Sequence, residues 1–131
     1  MVDLHSHILY GIDDGSNSFE ESINIIKNFK EIGFNNIVLT SHYLEGSDYV
    51  CDNKEKKKIY KELKGYLEEN NIDINLYLGN EIYINDHIHD LVMEKKLYTI
   101  NNSRYILIEL PLYNEINNLD DCLFELKIKG Y

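Results

Sequence analysis

Strand-like and helix-like stretches alternate four times along this sequence, and that rhythm limits the fold more than any other feature. A first strand is read at residues 2–5. A helix follows at about 18–32, where Ser18 and Glu21 form a capping box and Gly33 ends the helix. Within it Ile23, Ile26 and Phe29 fall near helical spacing. A second strand, Ile37-Val38-Leu39-Thr40, precedes a helix at about 53–69 whose Ile59, Leu63, Tyr66 and Leu67 share a face. In a third strand at 72–78, the alternating residues Ile72, Ile74, Leu76 and Leu78 point to one side. A third helix at about 85–96, a fourth strand at 105–110 and a last helix at about 118–129, with Gly130 as its C′ residue, complete the pattern. Such alternation predicts an α/β fold with a parallel sheet and right-handed crossovers. Four units are too few for a closed barrel, which takes roughly eight units and about 250 residues. The last helix ends where a fifth strand is expected, so the expectation is of a sheet truncated before closure.

Length and composition narrow the function classes. With 131 residues and a hydrophobic share of 44%, the chain is expected to build one domain around one core. No run of about 18 apolar residues occurs, so no membrane-spanning helix and no direct membrane insertion are expected. Met1-Val2-Asp3-Leu4-His5 does not read as a signal peptide, and a cytoplasmic location fits. Cys51 and Cys122 are too few for a disulfide framework or a structural zinc site, and Cys122, mid-helix, is expected in the core. A net charge of −10 repels duplexes and anionic membranes, so nucleic acid is not the expected partner. The sequence has no Ala, Gln or Trp and only one Arg, Arg104, a bias that matches an AT-rich bacterial genome and carries no function. The charge run Lys54–Lys58 reads as a solvated first helical turn.

Chemistry gathers at the ends of the strands. His5 and His7 flank one residue in an extended segment, so both imidazoles face one side and can reach one ion. His87 and His89 have the same spacing on a helix, where they diverge by about 200°, and are read as surface residues. His42 follows the second strand, Glu81 the third behind Gly79, and Glu109 ends the fourth inside Ile106-Leu107-Ile108-Glu109-Leu110. Asp13 and Asp14 lie in the loop after the first strand. Sites of α/β proteins assemble at the C-terminal ends of strands. Taken singly, each residue has an ordinary reading: Asp14 can cap the turn before Gly15, His42 can be a satisfied loop histidine, and Glu109 can form a rim salt bridge. Four strand ends that each offer a metal-ligating side chain are a far less common accident. A cysteine-phosphatase plan fails, because Cys51 is followed by Asp52, Asn53 and lysines with no nearby Arg. Phosphate-binding Gly-rich loops and a Gly-x-Ser-x-Gly elbow are absent from the sequence.

The stretch Val2-Asp3-Leu4-His5-Ser6-His7-Ile8-Leu9-Tyr10-Gly11-Ile12-Asp13-Asp14-Gly15 closely resembles the opening of the polymerase-and-histidinol-phosphatase (PHP) tyrosine-protein phosphatases of capsule and exopolysaccharide operons, the CpsB/CapC/YwqE family. Leu39-Thr40-Ser41-His42-Tyr43, Leu78-Gly79-Asn80-Glu81-Ile82 and Ile108-Glu109-Leu110-Pro111 resemble the three motifs that follow, collinear over the whole chain. The resemblance implies a distorted (βα)7 PHP barrel, of which residues 1–131 would be a partial domain holding the first four βα units. It implies three metal ions, usually manganese, with zinc or iron also suited to the ligand types. His5, His7 and Glu81 would hold one ion, Glu81 and Glu109 a second, and Asp14 and His42 a third. It further implies dephosphorylation of the phosphotyrosine tail of a bacterial tyrosine kinase.

Two departures stand out. Ser41 replaces a residue that is often Pro in relatives. The downstream His-Pro-Glu-Arg and Ser-Asp-Ala-His motifs, expected to add ligands and a phosphate-binding arginine, are not in this sequence, and Arg104 precedes the fourth strand at the wrong end to replace that arginine. Activity of the chain alone is therefore expected to be impaired, with self-association through exposed sheet edges. The alternatives are a phosphoesterase for a small metabolite such as histidinol phosphate, and a non-catalytic remnant that binds metal or a partner.

Overall fold

The computed structural model of the chain describes residues 1–85, 87–111 and 118–131. Among the described residues there are six strands, β1 (Val2–Ser6), β2 (Asn36–Leu39), β3 (His42–Tyr43), β4 (Asn75–Leu78), β5 (Glu81–Tyr83) and β6 (Leu107–Glu109); α1 (Phe19–Glu31) follows β1, α2 (Asn53–Glu69) follows β3, α3 (Ile88–Met93) follows β5 and α4 (Leu119–Ile128) follows β6. Every strand pairing is parallel, in two sheets ordered β1-β2-β4 and β3-β5-β6. The second and third expected strands, 37–40 and 72–78, correspond to β2 and β4, the latter starting only at Asn75; after breaks at Thr40–Ser41 and Gly79–Asn80 each path resumes in a strand beyond the expected bounds, β3 and β5. The path is nonetheless continuous. Backbone bonds from Thr40 N to Ser6 O, Gly79 N to Leu39 O and Glu81 N to Ser41 O carry the pairing across the gap. Asn80, 1% exposed, holds the break by donating to Ser41 O and accepting from Tyr98 N. A side chain at Gly79 would press on Val38 and Thr40 at 3.0 and 3.1 Å, so glycine is what lets the neighbouring strands approach there.

The helices start and stop where local chemistry dictates. Ser18 accepts from Glu21 N, while the Glu21 carboxylate reaches past the cap to Asn17 N rather than to the expected Ser18 N. Gly33, at φ +96°, closes α1 in a Schellman motif: Gly33 N bonds Lys30 O, Phe34 N bonds Phe29 O, and the two rings pack 5.0 Å apart. Gly130 ends α4 with the same bonds, to Lys127 O and, through Tyr131 N, to Leu126 O. The third helix is shorter than expected. The Asn85 side chain accepts from His87 N in a turn, and Lys95 at φ +55° ends the run, so only Ile88–Met93 is helical. Asp86, inside the expected third helix, lies outside the described residues.

Two apolar clusters form. One packs α1 and α2 against the first sheet through Ile23, Ile26, Leu63, Leu67, Ile37 and Leu39; Ile72, Ile74, Leu76 and Leu78 all join it, as their alternation requires. The other packs α3 and α4 against the second sheet through Ile82, Leu91, Val92, Cys122 and Leu126. The charge run of α2 corrects the sequence reading: Lys56 is fully buried while Lys54, Lys57 and Lys58 are exposed. Lys56 lies three residues before Ile59 and seven before Leu63, on the stripe that faces the core. Leu4 of β1 and Ile106 and Leu107 of the β6 segment line one apolar hollow of about 360 Å³ with Ile100 and Tyr105.

Candidate metal centre

His5, His7, His42, Glu81 and Glu109 come together where β1 and β6 end and where the chain passes from β2 into β3 and from β4 into β5. His42 opens β3, Glu81 opens β5, and the two are register partners in a parallel pair. Glu81 is 7% exposed and central: its Oε2 lies 3.0 Å from His5 Nε2, 3.1 Å from His7 Nε2 and 3.3 Å from His42 Nδ1. His42 Nδ1 also lies 3.3 Å from Glu109 Oε2, and its Nε2 lies 3.5 Å from Asp14 Oδ1.

The loop after β1 closes over His7. Ser16 N donates to His7 O, Gly11 N donates to Ser16 O, and a Cβ at Gly15 would fall 2.2 Å from His7 O. Only glycine permits that approach. The closure buries the Asp13 side chain completely, where it accepts from Gly15 N, from His42 N at 2.8 Å and from His7 Nδ1 at 2.9 Å. Asp13 belongs to none of the expected ligand sets, and its function lies behind them. Asp13, as an acceptor at Nδ1, favours the neutral His7 tautomer that carries its proton there and keeps the Nε2 lone pair on the side of Glu81. The bond to Asp13 raises the His7 pKa above its usual value, burial opposing it and the charges of Asp13, Glu81 and Asp14 adding to it. Burial pushes Asp13 upward, but the hydrogen bonds from His7, His42 N and Gly15 N outweigh it and hold the carboxyl below its usual value. The signal available in the sequence was the Asp13-x-Gly15 spacing of an Asx turn.

These donors fit a metal. Three groups, His5/His7/Glu81, His7/Asp14/His42 and His42/Glu81/Glu109, each have ligand atoms within 4.8 Å of one another. Ligands at roughly 2.1 Å from one ion stand roughly 3 to 4 Å apart. His5 and His7 Nε2 are 3.2 Å apart, a separation at which two lone pairs repel unless a proton or cation lies between them. The grouping overlaps more than the resemblance implies, because His7 and His42 each belong to two groups. His87 and His89 stay apart from these donors; His87 is exposed, and His89 sits 3.1 Å from Asp90. Arg104 lies over the Tyr105 ring. No local sequence pattern points to Tyr49, whose ring stacks on His42 at 5.7 Å and 17°.

A parallel α/β fold with overlapping His and carboxylate donors gathered past its strand ends defines a candidate metal-site protein. The chain matches the family model described as "Capsular polysaccharide synthesis, CpsB/CapC" over residues 1–131, and it belongs to that family. It is 41% identical over its whole length to CapC of Staphylococcus aureus and 28% identical to tyrosine-protein phosphatase YwqE of Bacillus subtilis, in each case covering 51% of the relative. It is 29% identical to tyrosine-protein phosphatase CpsB of Streptococcus pneumoniae, covering 53% of it. A solved chain from the crystal structures of YwqE and CpsB, described as "unique metal-dependent tyrosine phosphatases", superposes on all of this chain and 53% of its own length, with a TM-score of 0.92 at 27% identity. The chain thus spans about half the length of the relatives it matches.

Proposed function

We propose that this chain carries the N-terminal part of a metal-dependent protein-tyrosine phosphatase, in which His5, His7, Asp14, His42, Glu81 and Glu109 hold up to three ions. The observation that carries the reading is the convergence of these six side chains into three donor groups. The parallel strand pairing, in the orders β1-β2-β4 and β3-β5-β6, supports the finer assignment of residues 1–131 as the first four βα units of a PHP barrel. Manganese is the ion that the family resemblance favours, and the same His and carboxylate set suits zinc or iron. Such ions, when bound, neutralise phosphate charge and lower the pKa of a coordinated water. The protein's own part is positional. Asp13 fixes the His7 tautomer, Gly15 lets the loop close, and Glu81 is shared between two donor groups. The substrate class is phosphotyrosine on a protein, the tail of a bacterial tyrosine kinase in cytoplasmic control of capsule and exopolysaccharide synthesis.

A second reading, a metal- or partner-binding unit with little turnover of its own, draws on a specific observation. The sole arginine sits against Tyr105 rather than among the donors, and the chain spans half of its relatives. Slow or absent hydrolysis by the 131-residue chain, with self-association through the apolar hollow and sheet edges, is the expected behaviour. Phosphotyrosine peptides and histidinol phosphate, assayed side by side with Mn²⁺ and with EDTA, decide between the readings. Chelator-sensitive release of phosphate from the peptide alone, lost in His5→Ala, supports the phosphatase. Turnover that prefers histidinol phosphate replaces the substrate class. Turnover indifferent to EDTA sinks the metal mechanism.

A further inference from the structure

We infer that Tyr49 is a positioning residue of the proposed centre: its ring, stacked on His42, holds the imidazole in the plane that lets its two nitrogens serve both donor groups containing His42. The inference rests on the metal-centre reading. The torsion that turns an imidazole about its Cβ–Cγ bond is broad and roughly two-fold, so packing has to choose between ring orientations. For His42 the choice matters at both nitrogens. Nε2 faces Asp14 at 3.5 Å, while Nδ1 faces Glu81 and Glu109, each at 3.3 Å. Turning the ring out of this plane would swing both nitrogens away from their carboxylates, whereas a half-turn keeps the plane and is decided by the carboxylates at the two nitrogens.

The Tyr49 ring lies 17° from the plane of His42, whereas the His7 ring is tilted by 54°. A short backbone hairpin delivers it there. Tyr43 and Val50 form an antiparallel bridge, Leu44 N donates to Tyr49 O, and Gly46 at φ +81° makes the turn. Ser47 Oγ accepts from Tyr49 N and donates to Leu44 O. In this pairing Tyr49 is the diagonal neighbour of His42, the cross-strand relation at which a large ring reaches its partner. The side-chain period of two puts both on the same face.

The test uses the 131-residue chain labelled with ¹⁵N-histidine, read by NMR without turnover. In the metal-free protein the carbon-bound ring protons of His42 are expected upfield, under the ring current of Tyr49. The shift should persist in Tyr49→Phe and vanish in Tyr49→Leu. In a Zn²⁺ titration followed at each imidazole nitrogen, Tyr49→Leu should need about 10-fold more zinc to occupy His42, with His5 and His7 filling as in wild type and Tyr49→Phe unchanged. Tyr49→Met fills similar space and replaces the leucine variant if that one fails to fold. Unchanged occupancy of His42 in a folded non-aromatic variant overturns the inference. Equal weakening at all three histidines also overturns it, because the effect then runs through the fold. Wild type that takes zinc at none of the three histidines removes the metal-centre reading and this inference with it.

Discussion

Glu81 and Lys56 are both ionisable and both buried, 7% and 0% exposed, but the regions around them accommodate charge differently. At the sheet rim, three imidazole nitrogens approach one Glu81 oxygen within 3.3 Å. In the first turn of α2, Lys56 Nζ is enclosed with no hydrogen-bond partner among the described residues. Burial pulls its ammonium down to about 8, the charges of Cys51 and Asp13 opposing the shift. Burial of charge alone therefore does not mark a functional centre. Convergence of complementary donors does, and a charge without them is a cost carried by the rest of the fold.

The largest expected effect tests the rim. Glu81→Gln keeps the shape and removes the shared negative charge, so Zn²⁺ or Mn²⁺ affinity by calorimetry should fall by about 100-fold or more, above the loss typical of a supporting residue. Wild-type affinity in that variant would erase the contrast with Lys56. Next comes Lys56→Met, which should stabilise the chain against urea by on the order of 3 kcal/mol at pH 7. The sign follows from linkage. The folded pKa, about 8, lies below the ordinary lysine value of 10.5. Between those values the unfolded chain binds the extra proton, so stability should rise with pH across that window, and the full penalty applies below it. The methionine variant should lose that rise relative to wild type; parallel pH profiles would sink the explanation.

Asp13→Asn should weaken metal binding roughly 10- to 100-fold by loosening the hold on His7, with the His5/His7/Glu81 group most affected. The smallest effect provides the control. Lys57→Met, one residue along on the exposed side of α2, should change stability by no more than about 0.5 kcal/mol. A gain matching that of Lys56→Met would show that surface charge, rather than burial, governs this helix.

Much of this was legible because local chemistry and tertiary packing agree. The bounds of α2 follow from its apolar stripe, and Gly33 and Gly130 end helices as their backbone freedom predicts. Collinear motifs made the rim residues readable as a set, although none was persuasive singly. Lys56 was misread through composition: five charged residues in a row look solvated, while the spacing of 56, 59, 63 and 67 puts one of them on the core face. The strand breaks at Thr40–Ser41 and Gly79–Asn80 depend on Asn80 bonding to Ser41 O and to Tyr98 N, contacts that no local pattern reports. The supporting position of Asp13 was hidden for a similar reason, since it is defined by His42 N, 29 residues away.

The register pairing of His42 with Glu81 acts as a gauge block. The distance between these two positions is set by the spacing of neighbouring strands, about 4.8 Å, and not by the side chains themselves. In the proposed centre, ligand identity and ligand spacing are thus carried by separate parts of the polypeptide. One codon can exchange an imidazole for a carboxylate and move the preference toward harder cations, while the backbone ladder keeps the calibration.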